Sequence, residues 1–103
     1  MLTEADVQSI FERSGALLWG HFLLTSGWHS DQYFQCALVL QYPEYTEMLC
    51  RELAARFSGE GIATVVGPAM GVIIVSYEVA RALGARSLFT EREDGVMKLR
   101  RGF

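Results

Sequence analysis

Val65-Val66-Gly67-Pro68-Ala69-Met70-Gly71 is the stretch of this chain best suited to chemistry. A β-branched run ends in a small-residue turn, and a helical pattern follows. The start of a helix leaves amide N–H groups without intrahelical acceptors and carries the positive end of the helix dipole. Such a turn therefore suits an anion, above all a phosphate. Gly67 and Gly71 would let the backbone approach that ligand closely. A plain strand-to-helix turn, with glycines placed for packing, accounts for the same residues, and the turn alone does not decide.

Two other segments carry possible chemistry. Between Phe22 and Cys36, the hydrogen-bonding side chains Thr25, Ser26, Ser30 and Gln35 stand beside Tyr33 and Phe34. Such a mixture can hold a flat polar ring between apolar faces with donors at its edge. A β-hairpin whose aromatics enter the core has the same composition, and composition alone favours it. His21 and His29 are eight residues apart with no carboxylate or cysteine in ligand spacing, which favours packing and surface roles, so no metal ligands are assigned. Near the C-terminus, Arg92, Lys98, Arg100 and Arg101 supply four of the nine basic residues within twelve positions, and Lys98 is the only lysine. Cations on a glycine-containing loop could neutralise a pyrophosphate leaving group. A solvated loop paired with Glu91, Glu93 and Asp94 is the competing reading.

The elements that must position these groups follow from periodicity and punctuation. Residues 3–14 read as a helix, with Thr3 as cap, Asp6 at the capping-box position and Val7, Ile10 and Phe11 on one face; Gly15 ends it. Leu17–Leu24 and Tyr33–Leu40 read as short strands around the Thr25-Ser26-Gly27 turn. Pro43 opens a second helix with Tyr45, Met48, Leu49, Leu53 and Phe57 as its apolar stripe, and Gly59 stops it. A strand over Ile62–Val66, a helix over Met70–Leu83 stopped by Gly84, and a strand over Arg86–Thr90 make a βαβ unit, which implies a parallel sheet. Glu91–Gly95 reads as a charged turn, and Val96–Phe103 as an extended arm. Two parallel strands cannot make a covered sheet alone, so the fold is expected to be incomplete within these residues.

Bulk properties exclude several classes. At 103 residues the chain is one domain or part of one, and 50% apolar composition sets it apart from disordered chains. A net charge of −3 argues against a general nucleic-acid binder. No apolar run is long enough for a transmembrane helix, and the N-terminal residues have no signal-peptide pattern. Cys36 and Cys50 lack metal or redox spacing and read as thiols of a reducing compartment, which here means the cytoplasm.

Taken in order, these motifs resemble the bacterial and archaeal orotate phosphoribosyltransferases, a branch of the type I phosphoribosyltransferase family. The resemblance rests on Gly15-Ala16-Leu17-Leu18, Gly20-His21-Phe22, Ser26-Gly27-Trp28-His29-Ser30, Tyr33-Phe34 and Gly67-Pro68-Ala69-Met70-Gly71. Tyr77-Glu78-Val79-Ala80, Phe89-Thr90-Glu91-Arg92 and Leu99-Arg100-Arg101-Gly102-Phe103 extend it over nearly the whole chain.

The resemblance implies an α/β fold of the type I phosphoribosyltransferase kind, of which residues 1–103 form a single partial domain. Residues 1–40 would be an N-terminal helix and hood, and residues 41–103 the first βαβ part of the parallel sheet with a mobile loop, the C-terminal part being missing. It further implies transfer of ribose 5-phosphate from phosphoribosyl pyrophosphate to orotate in pyrimidine (UMP) biosynthesis, with Mg2+, bound with phosphoribosyl pyrophosphate, as cofactor. The full-length protein would be a cytoplasmic homodimer that binds neither nucleic acid nor membrane. By the match, Thr25, Ser26, Gly27, Tyr33 and Phe34 would bind the base, Pro68, Ala69, Met70 and Gly71 the pyrophosphate, and Arg92 and Lys98 would be the catalytic cations. The sequence departs from the family pattern at Thr25, where many members carry lysine, and at Val72, where a second glycine is common. It also contains no acidic pair followed by a Thr-Thr-Gly-Gly-type loop, so residues 1–103 are expected to be inactive alone. A non-catalytic regulatory or nucleotide-binding module of the same fold is the alternative.

Overall fold

The computed structural model describes residues 1–103, which divide into two compact units, Met1–Tyr45 and Thr46–Phe103.

In the first unit, helix α1 (Glu4–Arg13) starts at the expected capping box. The Asp6 amide donates to Thr3 Oγ1 at 3.1 Å, and the Thr3 amide donates to Asp6 Oδ2 at 2.8 Å. The helix stops at Ser14 and Gly15, and the Ala16 amide turns back onto the Phe11 carbonyl at 2.9 Å. Strands β1 (Leu17–Leu23) and β2 (His29–Phe34) then form an antiparallel hairpin pairing Leu17 with Phe34 and Leu23 with His29. A bulge between Trp19 and Phe22 sets Gly20 and His21 together opposite Asp31. Ile10, Ala16, Leu17 and Val39 are buried.

The strand expected over Tyr33–Leu40 is not formed as such. Only its first two residues belong to β2, and Cys36–Leu40 is a short helix, α2. A five-residue apolar run does not distinguish strand from helix by periodicity. Here the Leu38 amide reaches the Gln35 carbonyl at 3.0 Å and the Gln41 amide reaches that of Ala37 at 3.1 Å, so these backbone groups pair locally without a partner strand.

Helix α3 (Pro43–Ala55) begins at the expected proline and lies mostly in the second unit. Its buried residues are Thr46, Cys50 and Ala54 rather than the large apolar stripe expected. Small side chains at i, i+4, i+8 let the helix backbone come close to its neighbours. Cys50 and Ala54 pack with Val79, flanked by Val65, Val75 and Leu83. The larger Leu53 and Phe57 line an open apolar groove beside Val65 and Val66.

Strand β3 (Thr64–Pro68), helix α4 (Ile73–Leu83) and strand β4 (Arg86–Glu93) form the expected βαβ unit. The strands run parallel, from Thr64 beside Arg86 to Pro68 beside Thr90. Helix α4 starts three residues later than expected, because Met70–Val72 are spent on a turn that brings the Val72 amide to the Pro68 carbonyl at 3.3 Å. Gly84 closes the helix in the left-handed conformation at φ 70°, as its position suggested.

Beyond Thr90 the expected charged turn and extended arm are replaced by a tight hairpin. β4 continues to Glu93, Asp94 and Gly95 turn at φ 52° and 78°, and β5 (Val96–Lys98) returns antiparallel. Asp-Gly with two positive φ angles is the favoured two-residue hairpin turn. Sheet order is β3-β4-β5.

Gly67 is fixed by packing. A Cβ there would lie 2.8 Å from Ser76 Oγ and 3.0 Å from the Val72 carbonyl oxygen, whereas one on Gly71 would meet nothing within 4 Å. Ser76 Oγ is held by the Val72 and Ile73 carbonyls at 3.0 and 3.1 Å and cannot simply swing away. Gly67→Ala is therefore expected to cost about 1–3 kcal/mol in chemical denaturation, as overpacked cores do. Gly71→Ala is expected to stay within about 0.5 kcal/mol; equal effects at the two sites would contradict this packing.

Candidate functional site

The turn between β3 and α4 has the architecture that the anion reading requires, with fewer donors than four residues suggest. Pro68 has no N–H, and the Ala69 amide is engaged by the Thr90 carbonyl at 2.7 Å, extending the parallel ladder. The Val72 and Ile73 amides turn back onto Pro68 and Met70. The amides of Met70 and Gly71 have no backbone acceptor, nor do those of Ile74 and Val75 in the first turn of α4. Met70, 82% exposed, and Gly71 stand at the surface. The Ala69–Met70 peptide is cis. At Gly67 the packing explanation holds, while the open space at Gly71 leaves room for a close ligand.

The same ladder places Thr90 beside Pro68, so β4 leads from the turn directly into the cationic hairpin. The four cations all have partners there. Arg92 Nη1 donates to the Gly95 carbonyl at 3.0 Å and ties the hairpin turn. Lys98 Nζ stands 4.0 Å from Glu93, which also takes Arg100. Arg101 grips Glu91 through two bonds of 2.7 Å. Those hydrogen bonds, helped by the charges of Arg101 and Arg100, hold the Glu91 carboxyl below the usual glutamate range. Glu91 and Glu93 pair with these cations as the competing reading of the sequence has it, whereas Asp94 forms the hairpin turn.

The other candidate residues lie in the first unit. Thr25, Ser26 and Gly27 form the exposed tip of the β1–β2 hairpin, closed by the Gly27 amide on Leu24 and the Leu24 amide on Trp28, both at 2.9 Å. Gly27 adopts φ 90°, which favours glycine there. Tyr33 stacks on Phe22 with ring centroids 5.6 Å apart, while Phe34 meets the edge of Phe11 at 5.4 Å. Adjacent strand residues point to opposite faces, so the hairpin does not bring Tyr33 and Phe34 together around one ring. The hairpin does bring together His21 and His29, whose eight-residue spacing offered no reason to join their rings: His21 Nε2 lies 2.6 Å from His29 Nδ1.

No family model matches the sequence. The chain is 70% identical over 102 residues to the orotate phosphoribosyltransferase of Pelotomaculum thermopropionicum, covering 99% of this chain and 54% of that protein. It is 63% identical over 102 residues to the orotate phosphoribosyltransferase of Desulforamulus reducens, covering 99% of this chain and 53% of that one. Among solved structures, the orotate phosphoribosyltransferase of Aeropyrum pernix superposes with a TM-score of 0.75 at 19% identity, over 91% of this chain and 56% of that one. The parallel β3–α4–β4 unit and this likeness define the fold as that of the type I phosphoribosyltransferases. Within that class the chain matches an N-terminal portion of the orotate phosphoribosyltransferases. It spans about half the length of the curated relatives it matches.

The Glu91–Arg101 pair yields a direct test. A carboxylate held down by a guanidinium keeps its added stability above its ordinary pKa and loses it as pH falls through the depressed one. Arg101→Ala should therefore move the Glu91 titration upward, read from its side-chain carboxyl NMR signal. An unmoved titration would rule out the pair as the cause.

Proposed function

We propose that the protein to which these residues belong transfers ribose 5-phosphate from phosphoribosyl pyrophosphate to orotate, giving orotidine 5′-monophosphate and pyrophosphate. The observation that carries this is the 70% identity to an orotate phosphoribosyltransferase over 99% of the chain, with a donor-bearing turn at the motif in question. Departure of pyrophosphate leaves an oxocarbenium-like sugar and concentrates negative charge on the leaving group. Fixed amide donors and cations aimed at that charge lower the barrier. Met70 and Gly71 would supply amides, with Pro68 and Ala69 shaping the turn. Lys98 and Arg92 would supply charge once exchanged from Glu93 and the Gly95 carbonyl. Orotate is already an anion, so attack on the sugar needs little base assistance.

Thr25, Ser26 and Gly27, with Tyr33 or Phe34, would recognise the base. Magnesium is implied by the family, yet no three His, Cys, Asp or Glu side chains gather here to hold it. In this reading the ion arrives bound with phosphoribosyl pyrophosphate. The same reading makes the protein a cytoplasmic homodimer acting in pyrimidine synthesis. In support of the dimer, Ile74 and Tyr77 are exposed apolar residues on α4.

The test is orotidine 5′-monophosphate formation by the full-length protein. Turnover is expected there and none from residues 1–103 alone, which carry no acidic-pair and Thr-Gly loop for the ribose phosphate. Lys98→Ala in the full-length protein should lower kcat about 100- to 1,000-fold, as loss of a charge-stabilising donor does. A full-length protein that binds substrates without turnover would favour the regulatory module instead.

A further inference from the structure

The hairpin of the first unit brings together two side chains for which the transferase reading has no use. His21 follows Gly20 in the β1 bulge, His29 opens β2, and their rings stand with centroids 4.8 Å apart and planes inclined by 36°. His21 Nε2 and His29 Nδ1 converge to 2.6 Å, and both residues are exposed. One proton between the two nitrogens satisfies that geometry, with one ring donating and the other accepting.

From this convergence we infer that His21 and His29 form a two-imidazole chelate for a divalent transition-metal ion of borderline softness, such as Ni2+ or Zn2+. Imidazole nitrogen is the ligand these ions favour, and here two such nitrogens converge at an exposed site. A tetrahedral ion at about 2.0–2.1 Å from each nitrogen would hold them roughly 3.3 Å apart. Two exposed rings reach that spacing by swinging slightly outward, with no change in the strands. The bulge is what makes this possible, because the extra residue in β1 re-aims His21 across the ladder. No third His, Cys, Asp or Glu completes a cluster, so water fills the other positions and the site stays open and exchangeable. A bound ion would link the two strands just below the Thr25-Ser26-Gly27 tip and hold that tip in place.

The inference stands apart from the transferase reading, and either can fail without the other. The test is titration of the full chain, 15N-labelled, with Ni2+, whose paramagnetism broadens amide signals near the bound ion. Saturable broadening centred on residues 20–22 and 28–30, with one ion per chain, is the expected result. His21→Ala and His29→Ala should each weaken the apparent affinity at least about tenfold, while Cys36→Ser leaves it unchanged. Since the unaltered chain already reports where the ion sits, misfolding of a histidine variant would not spoil the test. Broadening centred on Cys36 or on the N-terminus, or no saturable broadening at all, would overturn the proposal.

Discussion

Strand β3 and helix α4 approach so closely at Gly67 that no side chain fits between them. The hydroxyl of Ser76 and the carbonyl of Val72 occupy the space a Cβ would need. That contact determines where the chain can turn. With Gly67 pressed against α4, Pro68 completes the strand, Ala69 gives its amide to Thr90, and Val72 folds back on Pro68. Met70 and Gly71 are left at the crest with their amides unclaimed. The donors proposed to meet pyrophosphate are thus a by-product of how tightly the strand and helix pack.

The parallel register carries the consequence across the sheet. Because Pro68 stands beside Thr90, the strand that receives the Ala69 amide continues without interruption into Arg92 and the Asp94-Gly95 hairpin. The cations of that hairpin are held by Glu91, Glu93 and a turn carbonyl. Exposed pairs of this kind are weak in water. A multiply charged anion at the turn could compete for them at small cost, which suits groups that must engage a leaving group and then release it.

Much of this was legible in the sequence where the chemistry is local. The capping box at Thr3 and Asp6, Pro43 at a helix start and Gly84 at a helix end depend on residues within one turn of each other, and all three form as expected. Local periodicity failed where the outcome depends on partners far along the chain. Cys36–Leu40 became a helix because its backbone found local acceptors. α3 turned its small residues inward because the neighbouring elements approach closely, which no pattern within the helix discloses. The Asp94-Gly95 hairpin was readable and was obscured by the surrounding charges. Of the candidate site, the turn was legible as a motif, but Gly67 serves packing and Ala69 serves the ladder. His21 and His29, eight residues apart, met only because a bulged hairpin folded one onto the other.

The proposed role of the Pro68–Val72 turn requires that its crest receive an anion through its backbone. Titrating the 15N-labelled chain with inorganic pyrophosphate, and following every amide, measures this most directly. Saturable shifts of the Met70 and Gly71 amides, with Ile74 and Val75 following and Ala69 moving least, are the expected result. Shifts confined to the cationic hairpin, or none at the turn at saturating pyrophosphate, would contradict it.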